Sequence, residues 1–235
     1  MIATVVNAAA VVIGTLIGLI FHARIQGGFK TAVYNSIGIV SLILGISMAL
    51  ETQRVLYMAL SLVFGGIIGN AMHIEQGILN MGEFLRKRFA KSEEGGEFAY
   101  GFLSASVLFC VGALAIIGSF KAGVEGNYEL LFTKSVMDGF MAVMLTGAMG
   151  VGVGFSALTI LIYQGALTLL SVWIRPLVTD LVLSELTGVG GALVIMIGIN
   201  LLALKEIKTA NYIPSLVIVL IFVALDPILG SLVQM

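Results

Sequence analysis

Apolar residues run along this chain in long blocks, and charged residues gather at the joins between them. The apolar windows are roughly 2–21, 31–50, 55–72, 98–120, 139–148, 155–174, 186–204 and 212–233. A helix of about 20 apolar residues matches the roughly 30 Å hydrocarbon core of a bilayer. All the windows come close to that length except 139–148, which has about half of it. The pattern predicts an all-α polytopic membrane protein with seven or eight transmembrane segments in one integral domain, 1–235.

The longest uncharged run is the 36 residues between Asp138 and Arg175. As one helix it would be about 54 Å long, too long for a single span. Gly150, Gly152 and Gly154 interrupt it. The expectation is a full span over 155–174, preceded by a shorter helical piece that breaks at the glycines or re-enters. Irregular backbone at membrane depth is tolerated where it lines a cavity or is buried in protein. Glycine-interrupted segments of this kind often line transport sites.

Lysines and arginines in the connections set the orientation. With the N-terminus outside and eight crossings, Arg24, Lys30, Arg86, Lys87, Arg88, Lys91, Lys205 and Lys208 face the cytoplasm. Arg54, Lys121, Lys134 and Arg175 do not. A re-entrant 139–148 segment would make the division less one-sided. The stretch 73–97 reads as a cytoplasmic amphipathic helix lying on the membrane, with Ile74, Ile78, Met81, Phe84, Leu85 and Phe89 near one face.

Composition agrees with the pattern. Hydrophobic residues are 59% of the chain and charged residues 11%, where soluble domains carry roughly a quarter charged residues. A net charge of −1 argues against a nucleic-acid partner. The single cysteine, Cys110, excludes an intramolecular disulfide and a thiol-only zinc site. Its expected role is that of a small buried hydrophobe. The N-terminus has no basic leader and reads as a retained span.

The chain also echoes itself. Val11-Val-Ile-Gly14-Thr-Leu-Ile-Gly18-Leu-Ile-Phe-His22 aligns without gaps on Leu62-Val-Phe-Gly65-Gly-Ile-Ile-Gly69-Asn-Ala-Met-His73. Gly38-Ile-Val-Ser-Leu-Ile-Leu-Gly45 resembles Gly191-Ala-Leu-Val-Ile-Met-Ile-Gly198. GxxxG pairs let helix backbones approach closely, so they are expected at helix contacts and as faces for a homo-oligomer. His22 and His73 end the first matched pair and read as solvated interfacial groups.

The segments Lys134-Ser-Val-Met-Asp138-Gly-Phe-Met-Ala, Gly150-Val-Gly152-Val-Gly154-Phe-Ser156-Ala and Ile162-Tyr-Gln164-Gly-Ala-Leu-Thr are distinctive. So are Gly198-Ile-Asn200-Leu-Leu and Lys208-Thr-Ala-Asn211-Tyr-Ile-Pro214. Together they resemble the YqgA/YdfK-like family of bacterial inner-membrane proteins, across essentially the whole chain. The resemblance implies a multi-span protein of the inner (plasma) membrane with a suggested transport role and no known substrate.

Asp138 is the most suggestive ionisable residue, because an intramembrane carboxylate is costly and faces a cavity or a partner. Lys134, four residues earlier, can pair with it on one helix face. Gly150, Gly152 and Gly154 could present backbone groups to an ion, or simply pack helices closely. Their spacing fits neither a potassium filter nor a dinucleotide fingerprint. Ser156, Gln164 and Asn200 complete the candidate ion- or solute-binding set. Asn7, Asn35 and Asn70 read as interhelical hydrogen-bonding groups. The expected function is a transporter or channel for an ion or small polar solute, with a midplane site at a discontinuous helix and no cofactor. A scaffold acting through the amphipathic helix is the alternative. HExxH and GxSxG motifs are absent, so an enzyme is not expected.

Orientation is directly testable. A cysteine introduced at Ser92 is expected to resist membrane-impermeant thiol reagents in intact cells and to react after permeabilisation. Labelling from outside would reverse the topology.

Overall fold

The computed structural model describes residues 1–22, 28–89, 95–110, 113–174 and 178–227. Within them, every regular element is helical. The helices are α1 (Ile2–His22), α2 (Gly28–Ala49), α3 (Val55–Ala71), α4 (Ile74–Phe89), α5 (Gly95–Cys110), α6 (Ala113–Phe120), α7 (Glu129–Met149), α8 (Ser156–Ile174), α9 (Asp180–Leu201) and α10 (Ser215–Ala224). A π turn, Lys121–Glu125, extends α6, and 3-10 turns cover Val151–Phe155 and Thr209–Tyr212. Four segments are long and apolar enough to cross a membrane: α1, α7, α9, and α8 with the turn before it. Two bent pairs, α3 with the start of α4 and α5 with α6, raise the number to six if each counts as one span.

Close helix contacts fix the direction of each helix. Gly14 of α1 sits against Gly139 and Ala142 of α7, and Gly18 against Val143 and Thr146, so α1 and α7 run parallel. Asn7 meets Gln164 and Thr15 meets Gly154, so α8 runs antiparallel to α1. Gly38 faces Gly198 and Gly45 faces Gly191, which makes α2 and α9 antiparallel. In the third pair the Tyr57 ring stacks on Phe222 at 5.7 Å, and Gly65 abuts Ser215 at the start of α10. Thus α1, α2 and α3 lie antiparallel to α8, α9 and α10, in that order.

Carboxylates hold the connections at both faces, Glu185 fully buried and Asp226 and Glu75 half-buried. Glu185 accepts from Thr52 Oγ1 at 2.6 Å and from the backbone N–H groups of Gln53 and Arg54 at 2.7 and 2.8 Å. The latter groups lead into α3, where unpaired N–H groups would otherwise be left over. Asp226 accepts from Tyr57 Oη at 2.7 Å and lies 3.4 Å from Arg54 Nε. At the opposite face, Ala210 N–H donates to Glu75 Oε2 at 2.8 Å, and Glu75 N–H donates to Asn211 Oδ1 at 2.9 Å. Asn200 ties the chain after α9, accepting from Ile207 N–H at 2.7 Å and donating to the Ile207 carbonyl at 2.8 Å.

Two expectations need correction. The piece before the glycines is not short: α7 has 21 residues and starts at Glu129, so Lys134 and Asp138 lie inside the helix. Charge-free windows missed this because they stop at charges, whereas a paired lysine and aspartate can sit inside a span. The GxxxG faces, expected to serve oligomer assembly, are occupied within the chain. Gly14 and Gly18 pack on α7, and Gly65 and Gly69 on residues 211–215. The amphipathic stretch is helical over α4, while residues 90–94 of it lie outside the described residues.

A side chain at Gly69 would overlap the Asn211 backbone carbonyl, and a Cβ at Gly18 would come within 2.6 Å of the Val143 carbonyl. Gly18→Leu and Gly69→Leu are each expected to lower stability by about 1–3 kcal/mol or more through overpacking. Thermal unfolding in detergent measures this, and unchanged melting in both would disprove the intrachain contacts.

Candidate functional site

The sequence of α7 places Lys134 and Asp138 one turn apart on one face. That face is turned inward: the two residues are 6% and 8% exposed. Lys134 Nζ donates to Asp138 Oδ2. The same carboxylate oxygen accepts from Asn7 Nδ2 of α1 at 2.9 Å. Asn7 Nδ2 also donates to Gln164 Oε1 of α8 at 3.0 Å. Three helices therefore deliver four polar side chains to one point. It lies deep, since Asp138 is the tenth of 21 residues in α7 and Gln164 the ninth of 19 in α8.

α1 brings Asn7 there because its packing stripe is built of small residues. Thr4, Asn7, Ala8, Val11, Gly14, Thr15 and Gly18 recur at helical spacing and are all buried. Gly14 and Gly18 draw the backbone of α1 onto α7, and Asn7 arrives beside Asp138. Ala3, Ala122 and Leu131 form an apolar cluster between the start of α1, the π turn and the start of α7. Cys110, the last residue of α5, is buried within electrostatic reach of both charges. There the axes of α5 and α6 are bent by 55°.

Polar capacity is left over in this cluster. Asn7 Oδ1, Gln164 Nε2 and Thr4 Oγ1 are buried and find no hydrogen-bond partner among the described residues. Groups left unpaired in a low-dielectric interior each cost about 1–3 kcal/mol. Such atoms can accept and donate to a small polar guest. Among the described residues, no group of three or more His, Cys, Asp or Glu side chains is placed to hold a metal ion.

The other candidate residues lie elsewhere. Gly150 is about 18 Å along α7 from Asp138, twelve residues at 1.5 Å each. It ends α7 with a φ of 76°, a conformation glycine adopts without strain. Gly152 is pressed against the Phe98 carbonyl and Gly154 against Thr15. Ser156 Oγ donates to the Val153 carbonyl at 2.6 Å. This glycine run is a tightly packed helical turn, separate from the charge pair. Asn200 is engaged in the knot after α9. The structure thus gathers Lys134, Asp138 and Gln164, and separates Gly150, Gly152, Gly154, Ser156 and Asn200 from them. The sequence reading left out Thr4, took Cys110 as a small buried hydrophobe, and gave Asn7 an interhelical hydrogen-bonding role, which it has, without placing it in the site. The signal for Asn7 was its place on the same stripe as Gly14 and Gly18. Two surface cavities, of about 600 and 540 Å³, flank residues 205–207 and are lined by neither Asp138 nor Lys134.

These features define a helical, polytopic membrane protein with a charged polar cluster buried within its spans. The chain belongs to the family described as "Protein of unknown function (DUF554)", whose model matches residues 2–224. It is 30% identical over 229 residues to the "Uncharacterized membrane protein YdfK" of Bacillus subtilis (strain 168), covering 95% of this chain and 96% of that protein. It is 26% identical over 216 residues to the "Uncharacterized protein YqgA" of Escherichia coli (strain K12), covering 91% and 92%. No solved structure matches the chain.

Removing one member of a buried ion pair strands the other, at a cost of about 3–5 kcal/mol. Lys134→Leu and Asp138→Leu are each expected to lower the melting temperature strongly. The double variant should recover most of the loss. Equal damage in all three would mean the pair is not coupled as described.

Proposed function

We propose that this protein transports an ion or small polar solute across the bacterial inner membrane, with Asn7, Lys134, Asp138 and Gln164 as its binding element. One observation carries the reading: an ion pair and two amides with unspent hydrogen-bonding atoms are buried at mid-span between α1, α7 and α8. Stability alone does not call for this, because apolar residues of similar volume often stabilise at least as well as a buried pair. Intramembrane ionisable residues mark substrate and ion paths by default.

The antiparallel pairs α1/α8, α2/α9 and α3/α10 support the same reading. They suit an inverted repeat, in which related units rock about a site at their interface. The hydrogen bond between Asn7 and Gln164 spans the first pair, and the matched glycines Gly38/Gly198 and Gly45/Gly191 line the second. In this reading α1, α2, α3, α5 with α6, α7, α8, α9 and α10 make eight crossings. The N-terminus is outside, and α4 lies on the cytoplasmic surface. Lys205 and Lys208 then share that side with Arg86, Lys87 and Arg88, as the distribution of positive charge favours.

The test is flux in proteoliposomes. Gradients of alkali chlorides and of small zwitterionic solutes are imposed, with a trapped pH dye and solid-supported membrane currents as readouts. The double variant Lys134→Gln/Asp138→Asn, which strands no charge, and Gln164→Leu are each expected to reduce flux more than tenfold while eluting as folded protein. No flux in the wild type, or full flux in both variants, would remove the transport reading. The first result would leave a scaffold acting through α4. Gly152→Leu is unsuitable here, since its clash with Phe98 would disturb folding.

A further inference from the structure

We propose that the cavity between α3 and residues 205–212 binds one anionic phospholipid, with Lys205 and Lys208 holding its phosphate. The proposal is independent of the transport reading. The cavity has a volume of about 600 Å³ and lies where α3 and α9 end. Val63 and Ile67 of α3 and Met196 of α9 form its apolar part. Val63 and Ile67 are 57% and 62% exposed, so in a membrane they face lipid tails. One turn nearer the end of α3, Asn70 begins the polar part, which Lys205, Glu206 and Lys208 complete. Gly66 makes room between the two parts. The Tyr212 ring lies on it so closely that a Cβ would come within 2.7 Å of Cε1. A tyrosine at the end of a span sits at headgroup level.

An amphiphilic cavity calls for an amphiphilic occupant. The apolar part continues the surface that α3 presents to lipid, so an acyl chain can lie there without leaving the bilayer. A soluble anion would leave that part uncovered. Charge selects the headgroup. Lys205 and Lys208 against Glu206 leave one net positive charge on the cavity, which matches one phosphodiester. A zwitterionic headgroup brings a cation as well, which the lysines repel. Glu75 is within electrostatic reach of Lys208, but it lines the second cavity, on the other side of residues 205–207. There its carboxylate accepts from the Ala210 N–H.

The segment that carries the lysines is held in place. Asn200 accepts from the Ile207 N–H and donates to the Ile207 carbonyl, so Lys205 and Lys208 flank a tethered residue. A preorganised segment loses less freedom when a ligand binds. The fold also sets the leaflet. Glu75 exchanges hydrogen bonds with residues 210 and 211, which brings the start of α4 to the same face as the cavity. Arg86, Lys87 and Arg88 follow on α4. Positive charge gathered in this way marks the cytoplasmic side. Anionic lipids give that leaflet its negative potential, and basic pockets between spans there bind their headgroups.

The test uses the purified full-length chain in detergent. Native mass spectrometry measures the retention of added phosphatidylglycerol and of phosphatidylcholine, and melting temperature follows the same titrations. Phosphatidylglycerol is expected to bind more tightly and to raise the melting temperature. Lys205→Gln and Lys208→Gln should each weaken its binding about fivefold, and Glu206→Gln should strengthen it by about as much. Phosphatidylcholine binding should change in none of them. Lys121→Gln, which removes an exposed lysine of the π turn, should leave both lipids unaffected. Equal retention of the two lipids by the wild type would overturn the proposal. Unchanged phosphatidylglycerol binding in both lysine variants would also overturn it and assign the preference to the basic end of α4. Displacement of the lipid by glycerol 3-phosphate or inorganic phosphate would make the cavity a soluble-anion site and defeat the lipid assignment. If a lysine variant fails to fold, Glu206→Gln decides, since tighter binding upholds the proposal and unchanged binding rejects it.

Discussion

A carboxylate inside hydrocarbon must be neutralised on the spot, and in this protein Lys134 does it for Asp138 from the same face of the same helix. That pairing lets α7 run 21 residues with two charges inside it. The rest of the arrangement around α7 follows from the need to surround the pair. Asn7 donates into the carboxylate from α1, and Gln164 accepts from Asn7 on α8. Every contact that closes the pair off from lipid also fixes where α1 and α8 stand.

Close helix approach makes this possible. Lipid tails give apolar side chains no hydrophobic reason to leave them, so membrane helices associate through dense packing and hydrogen bonds. Here glycines supply the density. Gly14 and Gly18 seat α1 on α7, Gly38 and Gly45 meet Gly198 and Gly191 between α2 and α9, and Gly65 and Gly69 receive the turn before α10. Polar clips finish the ends, with Glu185 taking up N–H groups before α3 and Glu75 exchanging hydrogen bonds with residues 210 and 211. The bundle is thereby clipped by hydrogen bonds at its faces, while a charged polar cluster lies deep between α1, α7 and α8.

The candidate site was half legible before the structure. Asp138 and Lys134 declared themselves through their spacing and apolar surroundings, and Gln164 through its place in a distinctive segment. The glycine run drew attention for its irregularity, which marks a turn packed on Phe98 and Thr15. Asn200 lies in a span and reads as a site residue, yet its amide is spent tying down residues 207 and 209. An amide's partner cannot be read from its own neighbours in the chain, because both sites use the same chemistry.

The sequence by itself determined the class of protein, the approximate position of most helices, and the existence of close glycine contacts. Those properties are local: apolar length, charge at the joins and spacing along one helix face. Only the tertiary structure decided which helices the glycines join, that α7 begins at Glu129 with its charges inside, and that Asn7 completes the cluster while the glycine turn stands apart from it. Pairing between distant segments depends on how faces fit in three dimensions. A charge ends a span when alone and belongs to it when neutralised, and that difference appears only once the partners are in place.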